Sequence, residues 1–170
     1  MNPYVNAVVE ELEGDLAVVY RNFLLSYHQN GTAAATAAEA AGLQGYWKKY
    51  ADKLFAEQTE WQYASGSERT AMFKKYFEAV TNGQGDLTKF ENDLKSSSIS
   101  KKISFDMGIA QRIDVGGTPS FYIDGQLIDF SNKQGSSITV NGKTFTWEGS
   151  MTTGEFKQLI KNIVYAKMGK

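Results

Sequence analysis

The sequence has 170 residues, 42% of them apolar, with 18 basic residues against 19 acidic ones and a net charge of −1. That length buries a core without disulfide or metal support, and balanced charge removes any global attraction to nucleic acid or to an anionic membrane. Cysteine is absent, which excludes disulfides and thiolate zinc sites while leaving the compartment open, and no apolar run approaches the roughly 20 residues that span a bilayer.

No basic stretch followed by an apolar h-region stands at the N-terminus, so no export signal is expected there. Asn2-Pro3 suits a helix start, with Asn2 as cap, and Val5, Val8, Val9 and Leu12 follow on one face until Gly14. Leu16-Ala17-Val18-Val19-Tyr20 is a short apolar run with β-branched residues, which predicts a buried strand. A loop through Arg21 to Gly31 leads to an alanine-dominated helix from Thr32 to Leu43.

Trp47, Tyr50, Leu54 and Phe55 form a second helical stripe, and Met72, Phe73, Tyr76, Phe77 and Val80 a third, beyond Ser65-Gly66-Ser67. Packing explains both stripes, and no cofactor is expected. Asp86 caps a short helix carrying Leu87, Phe90 and Leu94, and Ser97, Ser98 and Ser100 offer caps for a longer one with Ile99, Ile103, Met107 and Ile113. Asp106 and Asp114 read as solvated charges on it.

After Gly116 the pattern turns to strands. Ser120–Ile123 and Gln126–Phe130 flank Asp124-Gly125, and Ser137–Val140 and Lys143–Trp147 flank Asn141-Gly142, so two hairpins are expected. A final helix follows, capped by Thr152 or Thr153, with Phe156, Leu159, Ile160, Ile163 and Val164 facing inward and Lys161 and Lys167 in its C-terminal half. The chain thus reads as one domain over residues 1–170, without repeat or linker.

Little of this sequence offers side-chain chemistry. His28, the sole histidine, stands without cysteine or a serine nucleophile motif, so a neutral loop or core role is expected and no metal site is. Pro119, in Val115-Gly116-Gly117-Thr118-Pro119-Ser120, lies at the mouth of a strand. A trans-proline turn fits there, and so does a cis loop that presents the Thr118 backbone to an extended peptide.

Arg21-Asn22-Phe23-Leu24-Leu25 with His28, Glu39-Ala40-Ala41-Gly42-Leu43-Gln44-Gly45, Tyr46-Trp47 and Leu54-Phe55 occur in the same order as in a known pattern. So do Phe90 and Leu94, Asp106 and Ala110, and Gly117-Thr118-Pro119-Ser120-Phe121 with Asp124-Gly125. Across residues 4 to 130 the sequence resembles the DsbA-like family of thiol:disulfide oxidoreductases. The resemblance implies an α/β thioredoxin-like fold of the DsbA type, with a helical insertion over about residues 31–113 and the first strand absent. An added hairpin over about 131–149 lies beyond the minimal fold and reads as an edge extension or as a partner surface. Leu24 stands where the family often has proline.

By the same resemblance the Thr118-Pro119 bond is cis, and Gly117, Thr118 and Pro119 hold an unfolded or extended polypeptide substrate outside the cytoplasm. The catalytic strand and its Cys-x-x-Cys are expected upstream of Met1. No catalytic residue is therefore expected in these 170 residues, because exchange needs a thiolate. The alternative is a non-catalytic peptide-binding or assembly module using the same loop; a third reading is a small-molecule transferase with serine in place of cysteine. Loss of the central strand leaves Leu16–Tyr20 and Ser120–Ile123 with open edges. Direct pairing, a homodimer through those edges, or an upstream segment would fill the gap.

Overall fold

Alanine sets the geometry of the helical part of the chain. In the computed structural model, which describes residues 3–12, 14–128, 135–148 and 151–170, α2 (Gly31–Gly42) buries Ala37, Ala40 and Ala41 completely. Side chains this small let α3 (Trp47–Ala56), α6 (Leu87–Asp93) and α7 (Ser97–Arg112) pack against it. Between them lie α4 (Gln58–Trp61) and α5 (Gly66–Thr81). Together they form one compact unit, Arg21–Gly117.

Its core is aromatic. Phe77 and Phe90 stack with ring centroids 4.3 Å apart, and Tyr50 lies 5.6 Å from Phe90. All three are fully buried, and the Tyr50 hydroxyl keeps its hydrogen bond by donating to the Phe73 carbonyl at 2.9 Å. Gly85 is required beside them, since a Cβ there would stand 2.6 Å from the Phe77 ring. Asp86 caps α6 by accepting from the Lys89 amide at 2.8 Å, and Ser65 and Glu68 form a capping box on α5. The cap of α7 is Ser96, one residue ahead of the expected serines, because Ser97 already has helical bonding. Phe55 and Ile113 are 64% and 48% exposed; each sits at the C-terminal edge of its helix, past the apolar stripe.

The second unit joins Met1–Tyr20 to Thr118–Lys170. Here α1 (Pro3–Glu11) packs on α8 (Thr153–Met168) through Val8, Leu12, Phe156, Ile160 and Val164. β1 (Phe121–Ile123) pairs antiparallel with β2 (Gln126–Ile128), and β3 (Ser136–Val140) with β4 (Lys143–Trp147). Asp124-Gly125 and Asn141-Gly142 make the turns with positive φ at all four residues, which matches the right-handed twist of the strands. Alternation buries Ile138, Val140, Phe145 and Trp147 against Ile128, Leu159 and Ile163. Thr152 and Glu155 form a capping box on α8, and the Asn141 side chain donates to the carbonyls of Ala166 and Lys167 at its far end. Lys157 and Lys161 of α8 both bind Glu11.

One expected strand does not form. Leu16–Tyr20 belongs to a run, 16–25, with neither turn nor bend, and no ladder joins it to another strand among the described residues. Val19 is 67% exposed. A strand needs a partner on at least one edge, and apolar β-branched sequence alone does not supply it. The expected cap Asn2, and Asp129 and Phe130 of the first hairpin, lie outside the described residues. No described helix is long and apolar enough to cross a membrane.

Ile163 has zero exposure beneath both hairpins. Ile163→Ala is expected to lower stability by about 2–5 kcal/mol, read as a fall in urea midpoint at constant slope.

Candidate functional site

Thr118, Pro119 and Ser120 are exposed in sequence immediately before β1. The Thr118–Pro119 peptide bond is cis. Gly117 is half-buried, and a Cβ added at Gly116 or Gly117 would meet nothing within 4 Å. A methyl group at either glycine would therefore meet no described atom. In β1, Ile123 faces Gln126 next to the turn and Tyr122 faces Leu127. Antiparallel pairing alternates, so Ile123 exchanges its backbone bonds with Gln126 while Tyr122 directs its N–H and C=O to the opposite edge. Thr118 and Pro119 are thus exposed, and Tyr122 is the β1 residue whose backbone faces away from β2.

His28 is exposed in the Arg21–Gly117 unit, with its ring centroid 4.6 Å from that of Tyr27 and its amide bonded to the Leu25 carbonyl. Among the described residues no group of three His, Cys, Asp or Glu side chains is placed to hold a metal ion.

The most demanding electrostatic feature is one that the solvated reading of Asp106 missed. Asp106 has zero exposure. Its Oδ2 accepts from the Asn22 amide at 2.9 Å, from Asn22 Nδ2 at 3.1 Å and from the Lys102 ammonium, and its Oδ1 accepts from Arg21 Nη1 at 3.1 Å. Glu39 completes the cluster, accepting from Asn22 Nδ2 at 2.7 Å and from Trp47 Nε1 at 3.3 Å, with Lys102 Nζ at 3.2 Å. Burial pushes the Asp106 carboxyl up, but the hydrogen bonds from Lys102, the Asn22 backbone and Arg21 outweigh it and hold the group below its ordinary value of 3.8. The signal was in the spacing. Asp106 falls on the buried stripe of Ile99, Ile103 and Ala110, and Lys102 stands one turn before it.

Asn30 plays a similar part at the other end of this segment. It is 3% exposed, donates to the Trp61 and Ala64 carbonyls at 2.8 and 3.0 Å, and accepts from Arg69 at 2.5 Å. Residues 21–30 are thereby pinned at both ends by buried polar side chains with full sets of partners.

A family model described as thioredoxin matches residues 1–162. The chain belongs to the thioredoxin family. Among curated proteins it is similar to Na(+)/H(+) antiporter NhaA 1 of Mycolicibacterium vanbaalenii, at 31% identity over 114 residues, which is 65% of this chain and 17% of that protein. The same antiporter of Mycolicibacterium gilvum is 30% identical over 115 residues, 66% of this chain and 17% of that protein. The matched region is thus a small part of these relatives. No solved structure matches the chain.

Because its folded pKa lies below the unfolded one, Asp106 contributes stability that is fully present above the unfolded pKa and is lost as pH falls through the folded value. Lys102 and Arg21 are partly exposed, which places the cost of Asp106→Asn at the low end for a broken buried ion pair, about 3 kcal/mol at pH 7. Urea titrations across pH are expected to show this difference narrowing below pH 3.8.

Proposed function

We propose that this thioredoxin-family chain recognises extended polypeptide through the backbone of Gly117-Thr118-Pro119 and the edge of β1, as a member of the DsbA-like branch. The observation that carries the reading is the exposed Thr118-Pro119-Ser120 loop at the head of β1, within a family match spanning residues 1–162. An extended peptide laid there meets main-chain donors and acceptors, which give affinity with little sequence preference. In this reading the helices of residues 31–113 are the DsbA-type insertion, the first strand of the fold is absent, and the β3–β4 hairpin extends the sheet edge.

Disulfide exchange is the activity we assign to the family member as a whole. With no cysteine in 170 residues, this polypeptide supplies no thiolate, so the exchanging cysteines must come from outside it. Its share of the task is to hold the substrate backbone. Clients outside the cytoplasm fit that task. The antiporter relatives lend no transport activity to the proposal, since the matched part is 17% of each. The second reading, a peptide-binding or assembly module with no redox partner, shares the same loop and rests on the same absence of thiol.

Reduced, carboxymethylated lactalbumin, titrated into isotopically labelled protein, is expected to shift the amide signals of Thr118, Ser120 and Tyr122. Thr118→Pro removes one main-chain donor and is expected to weaken binding about fivefold. Insulin reduction by the chain alone is expected to stay at the blank rate. Absence of any amide shift near Thr118 at saturating client would contradict the proposal.

A further inference from the structure

Three asparagines in this chain are followed by glycine, at positions 30, 82 and 141, and the fold treats them differently. We propose that Asn82-Gly83 is a site of covalent self-modification, where the folded chain converts asparagine to aspartyl and isoaspartyl residues with water as the co-reactant. The inference does not rest on the peptide-binding reading.

Glycine puts no side chain between its own amide nitrogen and the carboxamide before it. The Gly83 nitrogen, its proton passed to base, bonds to Asn82 Cγ; the Cγ–Nδ2 bond breaks and that nitrogen leaves as ammonia. Water then opens the cyclic imide at one of its two carbonyls, which restores the ordinary backbone with an aspartyl side chain or leaves the backbone running through Cβ. One water is consumed, one ammonia is released, nothing is oxidised or reduced, and the chain gains one negative charge.

Freedom of the side chain selects among the three pairs. Asn30 is 3% exposed; its Nδ2 donates to the Trp61 and Ala64 carbonyls and its Oδ1 accepts from Arg69. A Cβ at Gly31 would also crowd His28 Cβ at 3.2 Å. Asn141 Nδ2 donates to the carbonyls of Ala166 and Lys167 at 2.9 and 3.3 Å, and its turn is clamped between the paired residues Val140 and Lys143. Asn82, by contrast, is exposed together with Gly83 and Gln84, and its side chain makes no hydrogen bond among the described residues. A Cβ at Gly83 would meet nothing within 4 Å. The restraint on the attacking nitrogen is its bond to the Glu78 carbonyl at 3.0 Å, made at the end of α5, where helices fray.

The two products differ in effect. Asn82 closes α5 in the left-handed region, at φ 51, which an aspartyl residue also tolerates. An isoaspartyl link adds a backbone atom before Gly83 and moves its amide out of line with Glu78. The disturbance ends at Gly85, seated against Phe77 and Thr81, and at Asp86, whose amide and carbonyl are both held by Gln44, at 2.9 and 3.0 Å. One turn loosens while the aromatic core stays in place.

The full chain, kept folded or unfolded in guanidinium chloride, can be aged in mildly alkaline buffer and mapped by peptide mass spectrometry, with isoaspartate resolved by chromatography. The ratio of folded to unfolded rate at each pair removes the influence of neighbouring sequence. That ratio is expected to be at least about tenfold higher at Asn82 than at Asn30 or Asn141, each of which must first lose two side-chain hydrogen bonds. In the isoaspartyl fraction, hydrogen exchange is expected to show protection lost at the Gly83 amide and kept at Phe77 and Phe90. A ratio at Asn82 no higher than that at Asn141, modification of the folded chain appearing first at Asn30, or undiminished protection of Gly83 in the isoaspartyl fraction would overturn the proposal.

Discussion

A carboxylate with zero exposure is expensive to bury, and Asp106 repays that cost only while Arg21, the Asn22 amide and Lys102 all converge on it. Those groups come from residues 21 and 22, outside any regular element, and from a helix about 80 residues away in sequence. The network therefore fixes the point where the chain enters its helical unit. Asn30 fixes the other end of the segment through Trp61, Ala64 and Arg69. Between these two anchors residues 21–30 have no regular structure of their own, and buried polar bonds do for them what a ladder does for a strand.

Arg21 and Asn22 are locked, while Ala17, Val18 and Val19, just before them, make no hydrogen bond among the described residues. Thr118 to Ser120 is likewise exposed, and Tyr122 turns its backbone outward. On the proposed reading, recognition falls to main chain rather than to side chains. For a thioredoxin-family polypeptide without cysteine this division is coherent: recognition of extended backbone needs no thiol, and disulfide chemistry needs one that these 170 residues do not hold.

Much of the architecture was legible because it rests on local rules. Alanine spacing placed α2, Asp-Gly and Asn-Gly placed the hairpin turns, and Thr152 with Glu155 placed the start of α8. Leu16–Tyr20 was misread because apolar β-branched sequence states a preference, and a strand forms only where another chain segment completes it. Asp106 was misread for the opposite reason. Its charge suggested solvent, and its position on the Ile99–Ile103–Ala110 stripe, the cue that places it inside, carried less weight than its type. The loop at Thr118 was found through a resemblance across many weakly informative segments, and no single residue in it would have marked a site alone.

Amide hydrogen exchange tests the central claim, that a buried carboxylate locks residues 21 and 22 while Ala17, Val18 and Val19, just before them, make no hydrogen bond among the described residues. At low protein concentration the Asn22 amide, bonded to Asp106, is expected to exchange as slowly as the core of α7, while the amides of Val18 and Val19 exchange at rates near those of an unstructured chain. Rapid exchange at Asn22, or protection at Val18 and Val19 equal to that of the helices, would contradict it.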